Sequence, residues 1–120
     1  MVNPYNQNLD PNPANYQPLT PLSLLERASD VFPDFIAIIH GSQKFTYKEF
    51  YMRSKQLASI LCQRGMTRGS TVSTLLMNTP PMLEAHYGIP MCGAVIHAIN
   101  TRLDPATIAF QLDHADSKIL

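Results

Sequence analysis

Two helix-start signals, each within a few residues of a short apolar run, constrain the fold of this sequence more than any other feature. The apolar runs lie at residues 72–77 and 94–99, and both are rich in side chains that favour strands. Thr79 follows the first run and Asp104 follows the second, and each precedes a proline, as is typical of a helix N-cap. The order strand, helix, strand, helix at this spacing predicts a βαβ unit with a parallel sheet.

The remaining signals in this region predict an incomplete sheet. The two apolar runs alternate little between apolar and polar residues, so we expect strands that are covered on both faces. Pro90 removes a backbone donor and is expected to kink or break the helix that begins after Thr79. After a helix from about Pro105 to His114, residues 117–120 have the composition of a third core strand. The prediction is therefore an α/β fold with an incomplete parallel sheet, as in a fragment of a larger domain.

Residues 1–19 differ in composition from the rest of the chain. They include four prolines and many Asn and Gln residues, which predicts an extended arm, and residues 20–120 are expected to form the folded part. A first helix is expected to begin after Thr20, which precedes a proline. Its apolar residues recur at helical spacing as far as Phe32, and Pro33 ends it.

A small β-hairpin and a long helix are predicted between the arm and the parallel sheet. Residues 35–45 contain two strand-like runs joined at Gly41-Ser42, a two-residue loop that fits a type II′ turn. Thr46 and Glu49 form a capping box, and apolar residues at helical spacing follow. Gly65 stands where a glycine often ends a helix.

Composition excludes several classes of protein. The chain has 120 residues, 45% of them hydrophobic and 15% charged, with nine basic and nine acidic residues. Zero net charge argues against nucleic acid or an anionic membrane surface as the main partner. Cys62 and Cys92 form no disulfide framework or metal motif, which favours a reducing compartment such as the cytoplasm. We expect no secretory signal and no transmembrane segment, since the longest apolar stretch, residues 88–99, is shorter than the roughly 20 residues a span needs.

The glycines do not have the pattern of a nucleotide-binding loop. The turn after residues 72–77 contains no glycine, so a dinucleotide fingerprint is missing where it would be needed. Gly88 and Gly93 are five residues apart, but Ala94 and the valine after it replace the Lys-Ser/Thr of a phosphate loop. We therefore expect these glycines to allow close packing of a helix against the sheet.

The histidines and cysteines give no catalytic or metal motif. Cys92 and His97 have the chemistry of a nucleophile and a base, but no third group is present to orient them. Structural or surface roles are therefore favoured for all four histidines, none of which has a partner at metal-ligand spacing: His40, His86, His97 and His114.

Two polar clusters leave an alternative open. Glu84 and His86 lie in an apolar helix, so they must face water, a partner or a ligand. Arg102 follows a core strand, and ligands of open parallel sheets bind outside the carboxyl ends of the strands. This arginine either holds an anion or has a structural role, pairing with Asp104 or capping a neighbouring helix, and we favour the structural role.

Several ordered motifs resemble the acyl-CoA synthetases of the adenylate-forming (AMP-binding) superfamily. The resemblance is greatest to the fatty-acyl-CoA ligases and the plant-type acyl-activating enzymes, and it runs from about residue 13 to the end of the chain. The motifs that carry it lie at residues 15–21, 23–27, 45–47, 65–72, 82–88, 90–94 and 100–103.

The resemblance implies a reaction and a fold. Such enzymes use ATP and Mg²⁺ to convert a carboxylic acid to an acyl-adenylate, and they then pass the acyl group to coenzyme A. Their fold is a large N-terminal α/β domain followed by a small mobile C-terminal domain. Residues 20–120 would be the N-terminal part of that large domain, with the rest of the ligase chain as their partner.

The motifs that the family uses for catalysis have no matching positions in this sequence. The phosphate loop, the ribose-binding acid, the hinge and the catalytic lysine all belong to later parts of such chains. We therefore assign no catalytic, cofactor-binding or metal residue here, and Asn100 and Arg102 match family positions with a structural role. We expect the isolated chain to be inactive, to bind none of these cofactors, and to associate through open sheet edges.

One further function remains as an alternative. The chain would then be a short stand-alone binding or regulatory module, which pairs with a full-length ligase. The expected compartment is the cytoplasm, with the peroxisome as the alternative for a plant-type acyl-activating enzyme, although residues 117–120 are not a Ser-Lys-Leu address.

Overall fold

A computed structural model describes residues 3, 5, 7–14 and 16–120, so part of the predicted arm and of its motif at residues 15–21 lies outside the described residues. The described residues of the arm are exposed and form no α-helix or strand. The elements that follow, in chain order, are α1 Pro21–Val31, β1 Ile36–His40, β2 Gln43–Thr46, α2 Tyr47–Gln63, β3 Thr71–Thr74, α3 Pro80–Met91, β4 Val95–Ala98, α4 Pro105–His114 and β5 Ser117–Ile119.

Helix α1 begins and ends where the sequence predicts. Thr20 Oγ1 accepts a hydrogen bond from the Ser23 backbone N–H at 3.1 Å, and Ser23 Oγ accepts one from the Thr20 N–H at 3.1 Å. Leu25 and Ser29 of the predicted stripe are buried. Phe32 was expected in the same stripe but is exposed, because the helix ends at Val31 and the backbone leaves helical geometry.

The hairpin and α2 also follow the sequence signals. Strands β1 and β2 are antiparallel, and Gly41 has a φ of +58°, as the first central residue of a type II′ turn requires. Thr46 and Glu49 form the predicted capping box of α2. At the other end of α2 the Met66 N–H donates to Leu61 O and the Gly65 N–H donates to Cys62 O, which is a Schellman motif.

The three remaining strands form a parallel sheet in the order β4-β3-β5, which confirms the predicted fold class. The connection through α3 leads from β3 to β4, and the connection through α4 leads back across β3 to β5. Right-handed crossovers therefore require these two helices to lie on opposite faces of the sheet. The pair β3 and β4 is then a topological switch point, where consecutive connections leave in opposite directions.

The predicted strands were too long, and one expectation about their burial was wrong. Strand β3 ends at Thr74, and Leu75, Leu76 and Met77 after it are exposed. Only β3 is well covered. Strand β4 has Val95 at the surface and β5 is half-buried, because both strands lie at an edge of the sheet.

Two hydrophobic clusters hold the chain together. One joins α2, α3 and the sheet, and the other joins α1, α2 and the hairpin. Helix α3 ends one residue after Pro90, as the predicted break requires. The buried members are Leu61, Val72, Ala85, Ile89 and Ala94 in the first cluster and Leu25, Ile38 and Phe50 in the second.

Candidate functional site

A groove lies at the carboxyl ends of β3 and β4, at the switch point of the sheet. Two adjoining cavities of about 380 and 610 Å³ form it, and they share four lining residues: His40, Asn78, Thr79 and Met82. Strand β1 and the first turns of α3 line the smaller cavity, and the loops after β3 and β4 line the larger one. We call the two cavities together the switch-point groove. Ligands of open α/β sheets bind in this position, so it is the candidate site.

The N-terminus of α3 opens into the groove but offers few backbone donors. Thr79 has the extended backbone of an N-cap, with φ −125° and ψ 168°. Pro80 and Pro81 have no N–H, and the Met82 N–H donates to Thr79 O at 3.0 Å. Thr79 therefore occupies the predicted N-cap position, but its side chain accepts no hydrogen bond from the helix. Its Oγ1 donates to Met77 O at 3.2 Å instead. A helix N-terminus without free N–H groups is a poor cradle for phosphate.

Arg102 is the cation of the groove, and it does not pair with Asp104, which was one of the two structural roles considered for it. Asp104 caps α4 instead: it accepts hydrogen bonds from the Thr107 N–H at 3.0 Å and from Thr107 Oγ1 at 2.6 Å. These bonds lower the pKa of Asp104. The Arg102 backbone N–H donates to Asn100 Oδ1 at 3.0 Å, which gives Asn100 the predicted structural role. Within the described part of the chain, the Arg102 guanidinium has no acidic partner.

The four histidines have separate environments. His40 and His86 line the groove, and His86 Nδ1–H donates to Met82 O of its own helix at 2.8 Å. His97 is hydrogen-bonded to Ser73, and His114 stacks on Phe110 with ring centroids 5.7 Å apart. No group of three metal-ligating side chains occurs among the described residues.

Cys92 and His97 do not form a nucleophile and base pair. The Cys92 thiol donates to Ile89 O at 3.1 Å beside the cluster between α2, α3 and the sheet, and burial raises its pKa. His97 Nδ1 is 2.9 Å from Ser73 Oγ, which is in turn 2.5 Å from Ser117 Oγ. The histidine therefore belongs to a hydrogen-bonded row of side chains across all three strands, which no local sequence pattern signals.

Glu84 has a structural partner rather than a ligand. It is buried in α3, and its carboxylate accepts hydrogen bonds from Arg53 of α2 at 2.5 and 3.3 Å. The Arg53 guanidinium also lies 5.1 Å from the centroid of the Phe45 ring. Of the predicted pair Glu84 and His86, only His86 reaches the groove. The role of Arg53 was missed because no local signal links residues 31 positions apart.

Gly88 and Gly93 serve packing and a turn. A Cβ on Gly88 would lie 2.8 Å from Ser54 O and 2.9 Å from Leu57 Cβ, so this glycine lets α3 approach α2. The expected close contact is therefore real, but it is with a helix and not with the sheet. Gly93 has a φ of +80° and accepts a hydrogen bond from the Gly69 N–H at 3.1 Å, so it belongs to a turn at the amino end of β4.

The polar side chains of the groove are therefore mostly donors that suit an anion, and the rest of its lining is largely apolar. Its lining contains Arg102, two histidines and the amides Asn78 and Asn100, but no Asp or Glu. An arginine without an acidic partner attracts carboxylates and phosphates. Among the described helices, none has the length and apolar character to cross a membrane.

Comparisons with known proteins agree on one group of enzymes. A family model described as AMP-binding enzyme matches residues 25–120. The chain is 47% identical over 108 residues to the peroxisomal acetate/butyrate–CoA ligase of Arabidopsis thaliana, covering 90% of this chain and 19% of that protein. It is 44% identical over 110 residues to an acetate–CoA ligase of Humulus lupulus, covering 92% of this chain and 19% of that protein. The chain thus spans about a fifth of the length of these relatives.

A solved structure gives the matching fold. The N-terminal subdomain of NpsA from Klebsiella oxytoca, in complex with 3-hydroxyanthranilyl-AMSN, superimposes with a TM-score of 0.75. The match covers 81% of this chain and 25% of that one, at 23% sequence identity. At that identity, the likeness concerns the fold alone.

Proposed function

Because the chain belongs to the family of AMP-binding enzymes, we propose that it is the N-terminal part of the large domain of an acyl-CoA ligase. The observation that carries this proposal is the match to CoA ligases at 44–47% identity across at least 90% of the chain but only 19% of those proteins. In the complete enzyme, a carboxylic acid would be activated as an acyl-adenylate and transferred to the thiol of coenzyme A. The names of the relatives support a short-chain acid, such as acetate or butyrate, as the substrate class.

The described residues do not fit the cofactors of that reaction. ATP with Mg²⁺ needs backbone N–H groups and a lysine around the phosphates and carboxylates for the metal ion. The switch-point groove has two prolines at its helix start, and no Asp or Glu lines it. We therefore derive no catalytic step within this chain, and we place the sites for ATP, Mg²⁺ and coenzyme A in the rest of the ligase.

The first test is ATP–pyrophosphate exchange by the isolated chain with butyrate as the acid. We expect no exchange above the blank, because nothing in the described residues stabilises the charge that develops on the α-phosphate. The full-length acetate/butyrate–CoA ligase of Arabidopsis thaliana is the positive control. Turnover by the 120-residue chain would contradict the proposal.

The second test uses a chimeric enzyme, and the proposal predicts that this enzyme is active. Residues 25–120 replace the matched segment of the Arabidopsis ligase in one continuous chain. We expect the chimera to form butyryl-CoA, since the replaced segments share fold and family. A chimera that folds and binds ATP but makes no acyl-adenylate would argue against a CoA-ligase origin.

The stand-alone module remains the second candidate, although no contact in the described structure favours it. The reading frame downstream of the Leu120 codon distinguishes the ligase fragment from the stand-alone module. A frame that continues into a Thr/Ser-Gly-rich run ending in Pro-Lys supports a ligase fragment. A stop codon with stable expression of the short product supports the module.

The compartment is part of this proposal. The cytoplasm stays a prediction from the sequence, and the peroxisomal relatives of Arabidopsis support the alternative that the resemblance left open. Fluorescence microscopy of the complete gene product, tagged at its N-terminus, decides between them.

A further inference from the structure

The switch-point groove has an exposed apolar rim that the described residues leave uncovered. Met77 is 72% exposed beside the larger cavity, and Ile39 is 69% exposed beside the smaller one. Leu76 and Leu83 are also exposed and also line the groove. Because the two cavities share lining residues, these side chains border one continuous depression. Apolar side chains gathered around a concave surface mark an interaction site.

Among the described lining residues of the groove, Arg102 is the one that carries a formal charge at pH 7. Arg102 contributes a guanidinium without an acidic partner in the described part of the chain, and His40 and His86 lie on the same lining. The lining contains no Asp or Glu that could pair with the guanidinium. The chemistry that complements this surface is an apolar segment that carries an Asp or Glu side chain.

We propose that the switch-point groove is the docking surface for the remaining polypeptide of the ligase, and that an apolar segment of it seats on Ile39 and Met77 with a carboxylate on Arg102. This inference rests on the proposed function. The relatives are about five times longer than the chain, so a large amount of polypeptide is available to cover the rim. Burying the rim removes apolar surface from water, and the carboxylate gives Arg102 the partner that Asp104 does not supply.

The test measures association in trans. The 120-residue chain is titrated with the Arabidopsis acetate/butyrate–CoA ligase lacking the N-terminal segment that this chain matches, and binding is followed by calorimetry. The groove variants are Met77→Glu and Arg102→Glu. Each is expected to weaken binding about tenfold or more. In Met77→Glu a carboxylate loses its water against the apolar segment, and in Arg102→Glu a negative charge faces the partner's carboxylate.

Leu24→Glu is the matched control. Leu24 lies on α1, is 57% exposed and does not line the groove, so this variant should bind like the unaltered chain. Circular dichroism checks that all variants keep the fold, which is expected for changes at exposed side chains. The proposal is overturned if no association occurs, or if the groove variants bind as well as Leu24→Glu. It is also overturned if butyrate or inorganic phosphate, and not the polypeptide, perturbs the nuclear magnetic resonance signals of Ile39 and Met77.

The covalent chimera separates this inference from the proposed function. If the chimera is active and its Met77→Glu and Arg102→Glu forms are equally active and stable, the function stands and the docking surface is wrong. If the chimera with the unaltered groove folds but forms no adenylate, the proposed function fails, whatever the groove binds.

Discussion

At Gly88, helices α2 and α3 approach so closely that a side chain has no room. The Cβ of any other residue would lie 2.8 Å from Ser54 O and 2.9 Å from two atoms of Leu57. Ser54 Oγ donates to Phe50 O within α2, so its polar atom is satisfied in this buried contact. The single missing methyl group therefore determines how near the two helices lie, and Arg53 and Glu84 join them on an adjoining part of the contact.

Replacing Gly88 with alanine should destabilise the chain by up to about 2 kcal/mol, because overpacking costs about 1–3 kcal/mol and alanine recovers roughly 1 kcal/mol of it in helix propensity. Urea unfolding measures the change. Gly41→Ala is the comparison, since its Cβ would have nothing within 4 Å and the cost is only that of a φ of +58°. A Gly88→Ala chain as stable as the unaltered one would show that the helices can separate freely.

Helix ends are the elements that the local sequence describes best. Thr46 illustrates this at the start of α2, where its backbone N–H donates to Glu49 Oε2 at 2.8 Å and its Oγ1 donates to the same atom at 3.1 Å. The backbone bond is the larger cause, and both bonds lower the pKa of the Glu49 carboxyl. A carboxyl whose pKa is lower in the folded than in the unfolded chain stabilises the folded state above its usual pKa, and this stabilisation is lost as the pH falls.

The capping box should therefore make stability depend on acid pH. As the pH falls below 4.5, the usual pKa of the group, the unaltered chain should lose a part of its stability that Glu49→Gln never has. Thermal unfolding at a series of pH values measures this difference. Parallel pH profiles for the Glu49→Gln and unaltered chains would contradict the prediction.

The parallel sheet is joined by more than its backbone. Ser73 is only 2% exposed, and its hydroxyl lies between His97 Nδ1 of one neighbouring strand and Ser117 Oγ of the other. A single hydroxyl can donate to one of these groups while accepting from the other. The three side chains therefore cross-link all three strands.

Ser73→Ala should cost about 1–3 kcal/mol, because it leaves the His97 Nδ1 atom and the Ser117 hydroxyl without their partner in a partly buried place. Chemical unfolding measures the loss. Ser59→Ala, at an exposed position of α2, is the control and should be neutral or slightly stabilising. Equal stabilities of the two variants would mean that water replaces the network without cost.

For the whole molecule, exposed apolar surface is the dominant property. Helix α4 has no buried residue, and its Phe110 is 66% exposed. Strands β4 and β5 each have one unpaired edge among the described elements. The packed part of the chain thus presents apolar side chains and two strand edges to its surroundings.

The isolated chain should therefore associate with itself. Its apparent mass in analytical ultracentrifugation is expected to rise with concentration, and its thermal unfolding to be broad, because open strand edges and apolar surface pair between molecules. A Phe110→Lys variant should reduce the association. A monomer that unfolds reversibly in one sharp transition would contradict this prediction.

Much of the fold, and less of the site, could be predicted from the sequence. The helices after Thr20, Thr46 and Asp104 begin where expected, since a cap involves residues only three positions apart. The pairing of Arg102 with Asp104, one of two structural roles considered for the arginine, does not form, because Asp104 acts as the predicted N-cap of α4 and bonds to Thr107. The strand ends were overextended, because apolar residues such as Met77 occur both in strands and at exposed positions after them.

The sequence by itself determined the order of the elements, their caps and turns, and the family of the chain, since these depend on side chains within about four positions of one another or on ordered motifs. Only the tertiary structure decided that Glu84 pairs with Arg53, 31 positions away, and that His97 bonds to Ser73, 24 positions away. It also placed β1 beside the N-terminus of α3 to form the groove. The physical reason is that partners distant in sequence are selected by how helices and strands pack, and no local pattern encodes that choice.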